Sequence, residues 1–132
     1  MIKEIHLSTA EQTAFLDITA DIEKVVESAS VKTGTCIVFV PHTTAAVTIN
    51  ENADPSVRKD IITLLDRVVP ENASYEHAEG NSPAHAKASI IGNSLSVPVK
   101  GGALLLGTWQ GIYFCEFDGP RTRRVIIKVT KD

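Results

Sequence analysis

The chain lacks the features that mark several classes of protein. Its two cysteines form no CxxC pair, so neither a disulfide scaffold nor a redox or zinc-finger motif is indicated. No apolar run is long enough to cross a membrane, and residues 1–6 have no signal-peptide pattern. The formal net charge is only −3, which argues against nucleic acid or an anionic membrane as a partner. We therefore expect a cytoplasmic protein that binds neither.

What is present suits one globular domain spanning residues 1–132. A chain of this length can bury a core without disulfides, and 43% hydrophobic with 22% charged residues is an ordinary composition. Cys36 and Cys115 each lie in an apolar, strand-like run, and we interpret both as small buried hydrophobic residues. No repeat or linker divides the sequence.

Three helices are indicated by periodicity and by residues that begin or end helices. The first has apolar residues at helical spacing, with Thr19 as its expected N-cap and Gly34 as the residue that ends it. In the other two, a capping side chain is followed directly by proline, which loses no hydrogen bond at the first helical position. The first predicted helix covers residues 19–30. The second begins at Pro55 and is stopped by Pro70, and the third covers residues 83–91 and ends before Gly92.

The remaining segments alternate or are rich in β-branched residues, as strands are. Residues 35–40 and 45–50 are expected to pair antiparallel across the turn between them, and Gly101 with Gly102 marks a later hairpin. The predicted strands are residues 2–8, 13–18, 35–40, 45–50, 95–99, 103–106, 111–117 and 124–130. The pattern predicts an α+β domain with a sandwich-like core of antiparallel sheet, two main helices and one short helix.

Three of the four histidines lie where the chain changes direction. His42 closes a strand, His77 lies in a long polar loop, and His85 opens a short helix, whereas His6 reads as a surface residue. The three could hold a zinc-like ion with one position left open, or transfer protons near neutral pH. The alternative is that each ring is solvated or only bonds across its own turn. Carboxylates that could orient the rings are Glu51, Asp54, Asp60, Glu76 and Glu79, although Asp54 is better explained by the helix that it begins.

A second group of polar residues lies later in the chain. Arg121 and Arg123 share a Gly-Pro turn and could present a fork to a phosphate, near Arg124 and Lys100, although a solvated turn is the alternative. The single tryptophan, Trp109, is expected in the core or at a subunit interface, while stacking on a ligand stays open.

Several motifs, taken together and in order, resemble a known family. They are PHTTAA at residues 41–46, NENADP at 50–55, the loop around His77, the pair Ala84 and His85, GTWQG at 107–111, and EFDGPR at 116–121. The chain resembles, over nearly its whole length, the family of secondary thiamine-phosphate synthase enzymes.

That resemblance implies an α+β homotrimer with pockets near subunit boundaries. It also implies a weak synthase activity that joins a pyrimidine methyl diphosphate to a thiazole phosphate. A divalent metal, zinc or, for the diphosphate, magnesium, would assist the reaction. His42, His77 and His85 would be the metal ligands and, with Glu51, the catalytic residues. Expected contacts to the phosphorylated substrate are Thr44, Trp109, Gln110 and Arg121. The alternatives are a non-catalytic trimer that binds a metal or small anion, and a metal-dependent hydrolase of a small phosphorylated substrate.

Overall fold

The structure is a computed structural model that describes all residues from 1 to 132, with eight strands and three helices. The helices are α1 Thr19–Ala29, α2 Pro55–Val68 and α3 Ser82–Ile91. The strands are β1 Ile2–Ser8, β2 Ala14–Asp17, β3 Thr33–Phe39, β4 Ala45–Glu51, β5 Ser94–Lys100, β6 Ala103–Leu104, β7 Gln110–Glu116 and β8 Thr122–Lys131. The predicted α+β class is confirmed, and none of the helices has the length and apolar character needed to span a membrane.

The strands form two antiparallel sheets. The larger sheet has the order β1-β8-β3-β5-β6, and the smaller has the order β2-β7-β4. The predicted pairing of β3 with β4 is therefore wrong: β5 and β8 occupy the two edges of β3, while β4 pairs with β7. The turn at residues 40–44 carries the chain from one sheet to the other, and alternation of side chains does not indicate which strand will become the partner.

The main core joins α1 to both sheets. Ile22 and Val26 of α1 pack with the buried face of β8, where Val125, Ile127 and Val129 are at most 2% exposed, as their alternation predicts. Each such side chain contributes about 1.5–3 kcal/mol when fully buried. This core holds α1 and the two sheets as one body.

Both cysteines are fully buried, as predicted. Burial raises the pKa of the Cys36 thiol to about 11 and raises the pKa of the Cys115 thiol as well. A thiol that stays protonated is a poor nucleophile and metal ligand, so both cysteines act as core residues.

The first helix is bounded differently from the prediction. Ile18, not Thr19, occupies the N-cap position, and the Thr19 hydroxyl instead accepts a hydrogen bond from the backbone N–H of Ile112 at 2.8 Å. The helix ends at Ser30, whose φ of 54° is left-handed. Gly34 lies within β3, where a Cβ would stand 2.0 Å from the carbonyl oxygen of Thr130, so close strand packing explains this glycine.

The second helix begins as predicted, because the Asp54 side chain accepts a hydrogen bond from the N–H of Ser56 at 2.9 Å. Its apolar stripe is only partly covered: Leu65 is buried, whereas Leu64 and Val68 are 57% and 68% exposed.

The third helix is anchored by a buried lysine. Lys87 is 3% exposed, and its ammonium bonds the carboxylate of Asp66 in α2 at 2.5 Å. Ala84 and Ala88, on the same helix, pack against the smaller sheet in a second apolar cluster with Tyr113. These contacts set the position of α3, and with it the position of His85.

Candidate functional site

A polar cleft of about 660 Å³ lies where five segments meet. These are the turn between β3 and β4, the loop before α3, the first turn of α3, the turn between α3 and β5, and the turn between β7 and β8 with the start of β8. The polar side chains that line it are His42, Thr43, Thr44, His77, Glu79, Asn81, His85, Asn93, Asp118, Arg121 and Arg123. Segments far apart in sequence thus supply one site.

The cleft brings together the three histidines that the sequence singled out. The rings of His77 and His85 lie edge to face, with 5.3 Å between their centroids and 77° between their planes. His42 comes from a different part of the chain, the segment that joins the two sheets. His6 is exposed on β1 and takes no part, as expected.

The backbone selects the tautomer of His42. Its Nε2 accepts a hydrogen bond from the backbone N–H of Arg124 at 3.0 Å, which requires a lone pair on that nitrogen. Burial, reinforced by the nearby charge of Arg123, lowers the pKa of His42 below its usual value. At neutral pH the ring is therefore uncharged, and its proton is on Nδ1. His42 is equipped to donate a hydrogen bond to a ligand.

The same geometry does not fit a metal site built from these histidines. No group of three or more His, Cys, Asp or Glu side chains is arranged to hold a metal ion. In His42, one nitrogen accepts the bond from Arg124 and the other carries the proton, so neither offers a free lone pair. The zinc or magnesium ion expected from the sequence stays a prediction, which metal analysis of the purified protein would test.

A buried ion pair forms the floor beside His42. Arg123 is 5% exposed and donates from Nε and Nη2 to the two carboxylate oxygens of Glu116, at 2.9 and 2.5 Å. Nη2 also donates to the hydroxyl of Thr44 at 2.8 Å. A solvated Arg123 is therefore excluded. Thr44 lines the cleft and its hydroxyl accepts this bond, so its contact with a substrate stays a prediction.

Sequence reasoning missed Glu116, which is 0% exposed. Burial alone would raise the pKa of this carboxyl, but hydrogen bonds from Arg123, the Thr9 hydroxyl and the backbone N–H of Asp118 more than offset it, so the pKa is lowered. The available signal was a single charge inside the apolar run that ends β7, because such a charge needs a buried partner.

Arg121 lies at the rim in a second, more exposed network. It donates from Nε to the backbone carbonyl of Asp118 and from Nη2 to the Asp118 carboxylate, at 2.8 and 2.9 Å. Asn81 donates to the same carboxylate at 3.0 Å, while its own side-chain oxygen is buried without a partner. These bonds hold Arg121 in place and leave its Nη1 group without a hydrogen bond inside the chain.

Three residues expected in the site lie elsewhere in this chain. Glu51 pairs with Gln110 at one end of the β4–β7 ladder, whereas Ala45, at the cleft end, pairs with Glu116. Six residues of strand separate the two ends by about 20 Å. Within one chain, Glu51, Trp109 and Gln110 therefore do not line the cleft that the histidines line.

Trp109 is 62% exposed, so the prediction that it lies in the core is wrong. A subunit interface remains a prediction, as does the homotrimer.

Comparison with known proteins shows the family of this chain. The family model YjbQ, described as UPF0047 protein YjbQ-like, matches residues 3–132. The chain belongs to this family. It is 48% identical to UPF0047 protein YugU of Bacillus subtilis over 98% of each chain. It is 47% identical to a UPF0047 protein of Methanocaldococcus jannaschii, over 100% of this chain and 96% of that protein.

Solved structures of relatives have the same fold. A YjbQ/UPF0047 protein of Clostridium acetobutylicum superposes with a TM-score of 0.95 at 52% identity, over 97% of this chain and 99% of that one. A protein of Sulfolobus solfataricus, described as YbjQ-like and of unknown function, superposes with a TM-score of 0.96 at 35% identity, over 100% and 97%.

The resemblance to secondary thiamine-phosphate synthases is thus wrong. The matching family model is YjbQ, and the relatives are named UPF0047 proteins, with no thiamine-phosphate synthase among those compared. Nothing in these comparisons supports a synthase or transferase activity, or zinc binding. The synthase reaction is withdrawn, and the site is interpreted from its own geometry.

Proposed function

We propose that the cleft binds the phosphate group of a small molecule and that its histidines transfer protons to or from that molecule. The observation that carries the proposal is the meeting of three histidines and two arginines, from separate segments, around one polar cleft. Side chains held in place by their neighbours lose little freedom when a ligand binds, which favours recognition of a small polar group.

The hydrogen-bond donors suit phosphate oxygens. His42 offers its Nδ1 proton, and Arg121 offers an Nη1 group that has no partner inside the chain, although its other nitrogens bind Asp118. Hydrogen bonds from a guanidinium to a phosphate are charge-assisted and stronger than neutral ones. The two groups belong to different turns that line the same cleft, so separate segments of the chain would contribute to binding a phosphate.

The acceptors in the cleft narrow the choice of anion. Asp118 and Glu79 add carboxylates to the same lining as the arginines, and Asp118 bonds Arg121 directly. An anion that carries no proton of its own would be repelled by these groups. Inorganic phosphate at neutral pH, and a phosphate monoester in its singly charged form, carry an O–H group on phosphorus that can donate to these acceptors, whereas sulfate carries none. Phosphate is therefore favoured over sulfate.

His77 and His85 are the proton-transfer groups in this proposal. Their rings pack edge to face, and neither forms a hydrogen bond through its ring inside the chain. An imidazole can give or take a proton near neutral pH, as general acid–base catalysis requires. His42, whose Nε2 is engaged by Arg124, acts as a fixed donor instead.

Calorimetric titration with inorganic phosphate and with sulfate tests the binding. We expect phosphate to bind more tightly than sulfate, and Arg121→Gln to weaken phosphate binding about tenfold through loss of one charge-assisted bond. The matched control is Arg124→Gln, because Arg124 also pairs with a carboxylate but its side chain does not line the cleft. Equal loss in both variants, or no phosphate binding, would refute the proposal.

Phosphorus NMR of a panel of phosphate monoesters tests the proposed acid–base catalysis. We expect the wild type to hydrolyse an ester: water forms a bond to phosphorus, the ester P–O bond breaks, and the alcohol leaves with a proton from an imidazole. His85→Gln should abolish this reaction while phosphate binding persists. Binding without turnover of any ester would contradict the acid–base role and leave a binding protein.

A further inference from the structure

A second cavity adjoins the cleft. It has a volume of about 450 Å³, and half of its lining consists of residues that also line the cleft. The shared residues are His42, Thr43, His85 and Asn93. His42 and His85 therefore stand at the boundary of two spaces rather than at the end of one.

The two spaces differ in chemistry. The cleft contains Arg121, Arg123, Asp118 and Glu79, whereas the second cavity has no Asp, Glu, Lys or Arg side chain in its lining. The residues that belong to the second cavity and not to the cleft are small and uncharged, namely Ala45, Ala88, Ser89 and Gly92. A charged group would lose hydration there without gaining a partner of opposite charge, while a compact uncharged group would lose less.

We propose that the ligand has two parts, a phosphate held in the cleft and a small uncharged organic group held in the second cavity. This inference rests on the proposed function, because it assigns the phosphate to the cleft. The bond that joins the two parts then passes between His42 and His85. His42, as a fixed hydrogen-bond donor, and His85, as an acid–base group, would then lie on either side of that bond. The substrate class is the phosphate monoester of a small neutral molecule.

The probes that separate the two spaces are inorganic phosphate and phenyl phosphate. The phosphate is common to both, and only the second carries an uncharged group. We expect phenyl phosphate to bind about tenfold more tightly to the wild type, which corresponds to the burial of part of one ring. Carbon-13 methyl NMR should then reveal shifts at Ala45 and Ala88 with phenyl phosphate and not with inorganic phosphate.

Ser89→Trp tests the second cavity by filling it. Ser89 is exposed on α3, and its hydroxyl bonds only the carbonyl of His85 in the preceding turn, so an indole can be carried there without disturbing the core. Ser28→Trp is the matched control. Ser28 is also an exposed helical serine whose hydroxyl bonds a backbone carbonyl, and it lies on α1 outside both spaces.

Ser89→Trp should abolish the preference for phenyl phosphate and leave inorganic phosphate binding within about twofold, whereas Ser28→Trp should change neither. A wild type that binds both probes equally, or a preference that survives in Ser89→Trp with no methyl shifts at Ala45 and Ala88, would overturn the two-part ligand while the phosphate site stands. Absence of binding by either probe would overturn both proposals together.

Discussion

Glu116 and Arg123 form a buried ion pair that joins the two sheets. Glu116 ends β7 in the smaller sheet, Arg123 lies near the start of β8 in the larger one, and two hydrogen bonds of 2.5 and 2.9 Å connect them. The residue after Arg123 supplies the N–H that holds His42. The ion pair thus supports the wall of the cleft as well as the contact between the sheets.

We expect Glu116→Gln to destabilise the protein by about 3 kcal/mol, because it leaves the Arg123 charge buried without its counter-charge. Urea unfolding followed by circular dichroism would measure the change. The matched control is Glu4→Gln, which breaks the exposed pair between Glu4 and Arg124 on the neighbouring strands. That variant should lose less than about 1 kcal/mol. Similar losses of stability in the two variants would show that the buried pair contributes no more to stability than the exposed pair.

The stability of the wild type should fall as the solution is made acidic. The pKa values of Glu116 and Asp118 are both lowered in the folded protein, below the ordinary values of 4.5 and 3.8. For each, burial acts in the opposite direction but is outweighed by hydrogen bonds to the charged form, from Arg123 to Glu116 and from Asn81 and Arg121 to Asp118. A group with a lowered pKa stabilises the fold fully above its unfolded pKa and loses that contribution as the pH falls through its folded pKa.

Urea unfolding at intervals from pH 7 to pH 3 would measure this loss. The gap in stability between the wild type and Glu116→Gln should be widest above about pH 5 and should narrow toward pH 3, because glutamine does not titrate. A gap that is constant over this range would contradict the lowered pKa of Glu116.

Local sequence patterns predicted the helices and strands well, but they predicted poorly which strands pair with each other. Asp54 begins α2 and Gly92 ends α3 as expected, because caps act over one turn of chain. The pairing of β3 with β4 failed because partners are chosen by contacts distant in sequence, which alternation does not encode. The histidines were found because direction changes place them at element ends, but Glu51 and Gln110, also at element ends, lie at the far end of the ladder.

His42 should be observed as the Nδ1–H tautomer with a pKa below that of an imidazole in an unfolded peptide. The Arg124 N–H requires the Nε2 lone pair, and burial together with the Arg123 charge opposes protonation. Long-range nitrogen–proton NMR spectra recorded from pH 5 to pH 8 report both the tautomer and the pKa. Protonation should break the bond to Arg124, so the amide signal of Arg124 should titrate with the same midpoint. An Nε2–H tautomer at neutral pH would contradict the proposed role of His42 as a donor.

Gly34→Ala should destabilise the protein by about 1–3 kcal/mol through overpacking. The new Cβ would stand 2.0 Å from the Thr130 carbonyl oxygen of the neighbouring strand and 3.0 Å from the Val31 side chain, so the backbone of β3 or β8 would have to move. Gly107→Ala is the matched control, since its Cβ would approach only the end of the flexible Gln110 side chain, at 3.2 Å. Urea unfolding should show a small change for that variant. An equally small change in Gly34→Ala would mean that the two strands can separate without cost, and the position would need no glycine.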